Sequence, residues 1–218
     1  MQTRDHGPTL DYITRTFVCE PDYIAISRAE GERRRAGMQI SPYEGHLLQW
    51  LVGVSNAEHI LEIGTFMGTS VLWMAGGLPA TGRITSLEFD VEHAKNAAAH
   101  VAASPHASSI EIIHTDAHAW LAATASIPQF DLVFIDAEKT GYADYLAAVL
   151  PRMNTRGWII GDNTLLFGAL SGENPDGASA AAIASMQRFN ETLADSTRFE
   201  SVLLPTPEGL TVARLRAQ

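Results

Sequence analysis

Short apolar segments alternate with amphipathic segments along most of this chain. Runs rich in Ile, Leu, Val and Phe predict five strands, at residues 59–63, 83–87, 110–114, 132–135 and 158–160. Apolar residues at helical spacing predict helices between these strands, near residues 69–78, 91–103, 117–125 and 142–150. This β-α-β-α order predicts a parallel sheet that is covered by helices on both faces.

The C-terminal part of the chain ends this alternation with a hairpin. A loop rich in Gly, Ser, Asn and Pro spans residues 168–177, and a predicted helix follows at 180–193. Two predicted strands, 199–204 and 210–215, are joined by a segment whose length fits a hairpin loop. Residues 1–218 are therefore predicted to form one α/β domain with a Rossmann-like, doubly wound fold. Its seven-stranded sheet is expected to be mostly parallel, with an antiparallel C-terminal strand.

The first forty residues predict a helical extension of this domain. Residues 10–18 have apolar positions at helical spacing, and a proline can begin a second helix over 21–35. A third helix is predicted to begin at Pro42, with Ser41 as its N-cap and Glu44 completing a capping box.

Composition and charge exclude several classes of protein. The chain has 218 residues, 46% of them hydrophobic, and a formal net charge of -10. This charge repels phosphate backbones, so nucleic acid is not an expected partner. No apolar run reaches the ~18 residues of a membrane span, and the polar N-terminus lacks the apolar stretch of a signal peptide. A single cysteine, Cys19, can form no internal disulfide, so a cytoplasmic protein is expected.

The first predicted strand runs into a turn with two glycines, Gly64 and Gly68. Glycine lets the backbone approach a ligand, and ligands of open α/β sheets lie at the carboxyl ends of the strands. Glu88 ends the next strand, where a carboxylate can accept hydrogen bonds from two ribose hydroxyls. Glu62 precedes the turn and would repel a pyrophosphate, so a cationic or hydrogen-bond-donating ligand fits better than a dinucleotide. Ordinary turn chemistry is the alternative for the two glycines.

The third predicted strand is followed by Asp116 and Ala117 at the start of a helix. Asp116 is a natural N-cap for that helix. Contact with an adenine ring is its alternative role. The two roles are compatible at a helix start, so the pattern leaves both open.

Acidic side chains follow the fourth and fifth predicted strands. Asp136 comes directly after the fourth strand, with Lys139 three residues later, and Asp162 and Asn163 follow the fifth. Adjacent parallel strands would bring these ends together at one edge of the sheet. Two carboxylates and an amide oxygen suit a hard cation such as Mg²⁺, with open positions for two neighbouring substrate oxygens. The alternative is that each acid caps the helix or turn that follows it.

Five segments resemble the cation-dependent O-methyltransferases, the caffeoyl-CoA and catechol O-methyltransferase group. They are MQISPYEG at 38–45, LEIGT at 61–65, FIDAEK at 134–139 with Tyr142 after it, GDNTL at 161–165 and EGLTVAR at 208–214. The two acidic segments are the most specific part of the resemblance.

The resemblance implies a role for each matching residue. The family's metal ligands match Asp136, Asp162 and Asn163, and its catalytic lysine matches Lys139, which acts beside Asp136. Contacts to S-adenosylmethionine match Glu62, Gly64, Thr65, Ser70, Glu88 and Ala117. The same strand ends add Gly68, Asp116 and Asp136 to the expected cofactor contacts. The resemblance and the apolar N-terminal helices also predict a homodimer.

Two positions depart from the plant caffeoyl-CoA members of the family. Those members have a threonine at the position of Ile40 and an asparagine at the position of Phe167. Both changes weaken the case for a coenzyme-A ester as substrate. They leave the residues of methyl transfer unchanged.

The sequence therefore predicts a divalent-metal-dependent O-methyltransferase. It would move the methyl group of S-adenosylmethionine to a hydroxyl of a catechol-like small phenolic molecule. Two alternatives remain: a metal-independent methyltransferase of the same fold that acts on a small-molecule nitrogen or on RNA, and a non-catalytic nucleotide-binding module. The pair Asp136 and Asp162 argues against the first alternative, and Lys139 beside these acids argues against the second.

Overall fold

A single seven-stranded sheet runs through the part of the chain that the computed structural model describes, residues 7–124, 130–173 and 177–217. The strands are β1 His59–Ile63, β2 Arg83–Glu88, β3 Ile110–His114, β4 Phe130–Ile135, β5 Met153–Asp162, β6 Phe199–Leu204 and β7 Leu210–Leu215. Their order is β3-β2-β1-β4-β5-β7-β6, and all neighbouring pairs are parallel except the two that β7 makes. The predicted Rossmann-like sheet with an antiparallel C-terminal strand is confirmed.

Helices cover both faces of this sheet. They are α1 Gly7–Phe17, α2 Asp22–Arg34, α3 Pro42–Ser55, α4 Thr69–Ala75, α5 Val91–Ala102, α6 Ala117–Ala123, α7 Tyr142–Val149 and α8 Ala180–Leu193. Short 3-10 helices at Leu150–Arg152 and Leu166–Ser171 follow α7 and β5. One apolar core lies between the sheet and α6, α7 and α8, and a second lies between the sheet and helices α2 to α5.

The two cores follow from the alternation of side chains along the central strands. In β1, Leu61 and Ile63 belong to one core and Ile60 belongs to the other. Successive side chains of a strand lie on opposite faces, so a strand that is buried on both sides has an almost uninterrupted apolar sequence. Glu62 interrupts this run and is nevertheless fully buried, so its carboxyl group needs polar partners.

Several predicted boundaries differ from the structure. Strand β5 begins at Met153, five residues before the predicted start, and passes through a polar segment in which Arg156 has a φ of +64°. The pairing of β4 with β5 shifts register along this segment, which is typical of a bulge and hides the strand in the sequence pattern. Helix α4 ends at Ala75 because two glycines follow it. Helix α6 ends at Ala123, and its predicted last position, 125, lies outside the described residues.

The predicted N-terminal helices are confirmed where the structure describes them. Pro21 is the N-cap of α2, one position before the helix begins. The capping box of α3 is present: Ser41 Oγ accepts from the Glu44 N–H at 3.2 Å, and the Ser41 N–H donates to Glu44 Oε2 at 3.4 Å. Ser27 Oγ donates to the Met67 carbonyl at 2.9 Å, so α2 is attached to the turn that follows β1.

The limits predicted for the domain extend beyond the described residues. Residues 1–6 of the N-terminal extension and residue 218 lie outside them, so the single domain over 1–218 stays a prediction. Among the described residues, no helix is both long enough and apolar enough to cross a membrane.

Candidate active site

The turn between β1 and α4 lies against the end of β4. Gly64 has a φ of +96° and Gly68 a φ of +84°, in the left-handed region that favours glycine. A Cβ at Gly64 would lie only 1.9 Å from the carbonyl oxygen of Asp136, so the approach requires glycine. The Asp136 N–H donates to the Ile63 carbonyl at 2.9 Å. The glycine turn and Asp136 therefore form one continuous edge.

Glu62 lies beneath this turn and has no exposed surface. Its carboxylate accepts hydrogen bonds from Ser70 Oγ at 2.5 Å and from Ser86 Oγ. Burial raises the pKa of Glu62 to about 8; the two serine hydroxyls lower it, and the charges of Asp136 and Glu88 add a smaller increase. Glu62 thus joins β1, β2 and α4, and Ser70 is the member of this group that reaches partly into solvent.

Glu88 ends β2 beside the same turn and is 8% exposed. Its Oε2 accepts from the N–H groups of Thr65 at 3.1 Å and Phe66 at 2.7 Å, and its Oε1 accepts from the Asp90 N–H at 2.8 Å. An ionised carboxylate has about four acceptor positions, so Glu88 retains capacity for a ligand hydroxyl. The structure brings the predicted residues Thr65 and Glu88 into direct contact.

The end of β3 continues this edge of the sheet. The Thr115 N–H donates to the Glu88 carbonyl at 2.8 Å. Asp116 accepts from the Ala119 N–H at 2.8 Å, which confirms its N-cap role. Ala117 is the first residue of α6 and is buried. A contact between Asp116 and an adenine ring stays a prediction.

A second cluster is centred on the ammonium group of Lys139. Its Nζ donates to Asp136 Oδ1 at 2.9 Å, to Asn163 Oδ1 at 2.6 Å and to Tyr142 Oη at 2.9 Å. Tyr142 is fully buried, and its hydroxyl donates to the backbone carbonyl of Asp162 at 2.8 Å. Oxygen atoms from the ends of β4 and β5 and from α7 therefore converge on one point.

Acidic side chains outnumber basic side chains in this cluster. Asp162 is 6% exposed, and its Oδ1 accepts from the Asn163 N–H at 2.7 Å. Burial raises the pKa of Asp162 well above its ordinary value, and the charges of Asp136 and Glu44 raise it further. Burial lowers the pKa of Lys139, but the Asp136 carboxylate and the other neighbouring oxygens raise it by more, so the lysine is held protonated.

The donor set of this cluster fits a hard divalent cation. Asp136 and Asn163 already direct oxygen atoms at one positively charged atom, and Asp162 adds a buried carboxylate beside them. Within the described ranges, no three His, Cys, Asp or Glu side chains are arranged to hold a metal by themselves. A cation bound here would therefore need the amide oxygen of Asn163 as a third ligand, and oxygen ligands of this kind suit Mg²⁺.

Two acidic residues of this cluster were not predicted to belong to it. Asn163 Nδ2 donates to Glu208 Oε2 at 2.6 Å, and burial raises the pKa of Glu208, with a further increase from the charge of Glu44. Glu208 lies in the loop between β6 and β7, which reaches the site only because β7 pairs with β5. The similarity of the segment EGLTVAR to the family was the available signal. Glu44 was assigned to the capping box alone.

Comparison with known proteins identifies the family of this chain. The O-methyltransferase family model matches residues 20–216. A catechol O-methyltransferase from Niastella koreensis is 31% identical over 197 residues, which cover 88% of this chain and 87% of that protein. A caffeoyl-CoA O-methyltransferase from Populus kitakamiensis is 28% identical over 82% of this chain and 79% of that protein.

A solved O-methyltransferase structure resembles this chain over its whole length. The O-methyltransferase TomG from Streptomyces achromogenes, which is involved in tomaymycin synthesis and was solved with S-adenosylmethionine, has a TM-score of 0.86 and 27% identity, with 100% of both chains covered. The chain belongs to the O-methyltransferase family, in the caffeoyl-CoA and catechol O-methyltransferase group. It is an S-adenosylmethionine-dependent O-methyltransferase.

The buried carboxyl group of Glu62 predicts a pH-dependent stability. Its pKa is 4.5 ordinarily and about 8 in the fold, so the folded state binds this proton more tightly. This tighter proton binding stabilises the folded state fully at pH values below the ordinary pKa of Glu62. The stabilisation is lost as the pH rises through the pKa that Glu62 has in the folded state. A tenfold difference in proton affinity between the folded and unfolded states corresponds to about 1.4 kcal/mol.

The variant Glu62→Gln cannot ionise and should gain stability relative to the wild type as the pH rises from about 5 to about 9. Urea unfolding without cofactor measures the difference. Glu111→Gln, at an exposed position of β3, serves as a control that should show no such trend. If the difference in free energy of unfolding between Glu62→Gln and the wild type stays constant over this pH range, burial does not raise the pKa of Glu62.

Proposed function

We propose that this protein is a divalent-metal-dependent O-methyltransferase for catechol-like, vicinal dihydroxy aromatic molecules. The observation that carries the proposal is the convergence of Asp136 and Asn163 oxygens on Lys139 Nζ, at 2.9 and 2.6 Å, beside the buried Asp162. This cluster combines oxygen ligands for a cation with an amine that can exchange a proton. Metal-assisted methyl transfer to a hydroxyl uses both functions at one place.

S-adenosylmethionine is proposed to bind at the neighbouring glycine turn. One of its ribose hydroxyls would donate to Glu88, which has acceptor capacity left. The backbone at Gly64 and Gly68 allows a ligand to approach closely, and Asp116 lies at the end of the strand beyond Glu88. The likeness to TomG, which was solved with S-adenosylmethionine, supports this placement.

The chemistry requires a nucleophilic hydroxyl in line with the methyl group. A phenol has a pKa near ~10 and is mostly neutral at pH 7. A bound divalent cation would supply the preference for the ionised hydroxyl and would offset the Asp136 charge that holds Lys139 protonated. Lys139 would take the hydroxyl proton at its Nζ, which Tyr142 and Asn163 hold in position. The remaining contribution is the alignment of the two reactants, worth up to ~7–11 kcal/mol in favourable cases.

The substrate is proposed to be a free catechol in preference to a coenzyme-A ester. The names of relatives include both catechol and caffeoyl-CoA O-methyltransferases. Ile40 is buried here and Phe167 exposes an apolar ring, so neither position offers the polar group found in plant caffeoyl-CoA members. Part of the loop predicted over residues 168–177, residues 174–176, lies outside the described residues.

One observation favours metal-independent methyl transfer as a second candidate. Lys139 itself donates to both Asp136 and Asn163, and so provides a positive charge at the point where their oxygens meet. If Lys139 remained there throughout the reaction, no metal would bind at this point and no metal would coordinate the two substrate oxygens. Metal removal distinguishes the two candidates.

Methylation of a vicinal diol such as caffeate should vanish in EDTA and return with Mg²⁺, as measured by transfer of a labelled methyl group.

Asp162→Ala should abolish turnover but spare S-adenosylmethionine binding, because β1 and β2 hold the cofactor. Lys139→Ala should retain the metal and slow transfer by ~10²–10⁴-fold, the usual contribution of a positioned base.

Asp144→Ala, at an exposed position of α7, is the matched control and should keep full activity. Full activity of the wild type in EDTA, with no metal found by elemental analysis, would contradict the proposal and favour the second candidate.

The ribose assignment predicts the effect of Glu88→Ala on cofactor binding. The variant should bind S-adenosylmethionine more weakly by about 1.5–3 kcal/mol, the scale of a hydrogen bond to a charged group. Calorimetric titration measures this loss, with Glu92→Ala on the exposed side of α5 as the control. An unchanged dissociation constant would exclude Glu88 as a ribose ligand.

A homodimer is proposed from the apolar surface of the N-terminal helices. Helix α1 has no buried residue, and Tyr12 and Phe17 on α1 and Ile26 on α2 are 55%, 66% and 61% exposed. Closed two-fold dimers are the commonest oligomers, and such a dimer would bury these side chains.

Analytical ultracentrifugation at micromolar concentration should show a dimer, and Phe17→Glu should shift it towards monomer. Val202→Glu, at an exposed apolar position on β6, should leave the dimer intact. A monomeric wild-type chain would refute this assignment.

The cytoplasm is the proposed location of the enzyme. The only cysteine of the sequence, Cys19, is an exposed free thiol. Exposed free thiols persist in reducing compartments. The net charge of -10 likewise supports small molecules as its ligands, with no nucleic acid as partner.

A further inference from the structure

Both ends of the Asn163 side-chain amide are engaged. Its Oδ1 accepts from Lys139 Nζ at 2.6 Å, and its Nδ2 donates to Glu208 Oε2 at 2.6 Å. An ammonium group can only donate and an ionised carboxylate can only accept, so one orientation of the amide satisfies both partners. Rotation by half a turn would direct the amide N–H groups at Lys139 and the amide oxygen at Glu208.

The backbone fixes the position from which Glu208 reaches this amide. The Leu165 N–H donates to the Glu208 carbonyl at 2.9 Å, and the Thr164 N–H donates to the Gly209 carbonyl at 2.9 Å. Gly209 has a φ of +82°, and a Cβ there would lie 2.5 Å from Leu165 Cγ. The loop between β6 and β7 is therefore packed closely onto the residues that follow Asn163.

We propose that Glu208 is a positioning residue that keeps Asn163 Oδ1, and not Nδ2, directed at the cation site. This inference rests on the proposed metal dependence. An aspartate presents an oxygen in either orientation, as Asp136 and Asp162 do, whereas an amide is a metal ligand in only one of its two. The orientation of Asn163 therefore decides whether the third ligand exists, and groups that orient ligands contribute about 10- to 100-fold to metal affinity.

Glu208 also carries a negative charge close to the cluster, so its removal would weaken cation binding through electrostatics alone. Two substitutions separate charge from orientation. Glu208→Gln removes the charge but keeps a side-chain oxygen that can accept from Asn163 Nδ2. Glu208→Met removes both the charge and the acceptor at nearly the same size.

The experiment is a titration of Mn²⁺ alone into the EDTA-treated full chain, followed by calorimetry and by the Mn²⁺ paramagnetic resonance signal. We expect Glu208→Met to bind Mn²⁺ about tenfold more weakly than Glu208→Gln. Glu200→Gln, an exposed acid that pairs with Arg214 on the distant β6 edge, should bind like the wild type. Equal affinities of Glu208→Met and Glu208→Gln would overturn the proposal.

A second set of variants, made in an Asn163→Asp background, tests the role of the Asn163 orientation independently. Asn163→Asp replaces the amide by a group that presents an oxygen in either orientation. In this background, Glu208→Met and Glu208→Gln should bind Mn²⁺ equally, because both lose the charge of Glu208 and a carboxylate at position 163 presents an oxygen in either orientation. The same difference between the two Glu208 variants in both backgrounds would show that it does not come from the orientation of residue 163, and would overturn the proposal.

The outcome for the wild type separates this inference from the function on which it rests. A wild-type chain that binds no Mn²⁺ would refute the metal site itself. A wild-type chain that binds Mn²⁺, with no difference between the two Glu208 variants, would refute only the positioning role. Retained S-adenosylmethionine binding would show that each variant is folded, because none of the proposed cofactor contacts is Asn163 or Glu208.

Discussion

Two carboxylates of like charge, Asp136 and Asp162, lie at the ends of adjacent buried strands, and the rest of the site depends on this arrangement. Burial and mutual repulsion raise the pKa of Asp162 well above its ordinary value. Lys139 offsets part of the charge through its bond to Asp136. The surrounding oxygen atoms are arranged to bind a positive charge, which is either the ammonium group of Lys139 or a divalent cation.

The strand order connects this charged cluster with the glycine turn. Strand β4 lies between β1 and β5, so Asp136 adjoins Gly64 on one side and the Asp162 loop on the other. A glycine at position 64 allows the turn to pack directly against the Asp136 backbone. In the proposed mechanism, the methyl donor and the hydroxyl acceptor are thus aligned by a short stretch of rigid sheet edge, and no mobile loop is needed to join the two halves.

The sequence predicted the parts of the site that depend on one strand end at a time. Glycines after β1 and acids at the ends of β2, β4 and β5 can be identified because apolar runs mark where these strands end. Asp116 as an N-cap and the capping box at Ser41 were equally readable, because both depend on residues three or four positions apart.

Contacts between distant segments could not be predicted from these local patterns. Glu208 reaches Asn163 only because β7 inserts between β5 and β6, and no periodicity specifies that pairing. The true start of β5 was hidden by a register shift that replaces apolar alternation with polar residues. Local patterns also did not predict that Glu62 is a fully buried carboxyl group bound to two serine hydroxyls, and its contact with the cofactor stays a prediction.

The most direct test of the central claim is the anomalous diffraction of crystals grown with Mn²⁺. We expect one strong anomalous peak within about 2.0–2.3 Å of oxygen atoms from Asp136, Asp162 and Asn163, the distance range of small divalent cations. Lys139 Nζ should withdraw from the point that the cation occupies. A structure at saturating Mn²⁺ with no peak between these side chains, and Lys139 still bonded to Asp136 and Asn163, would refute the proposed metal site.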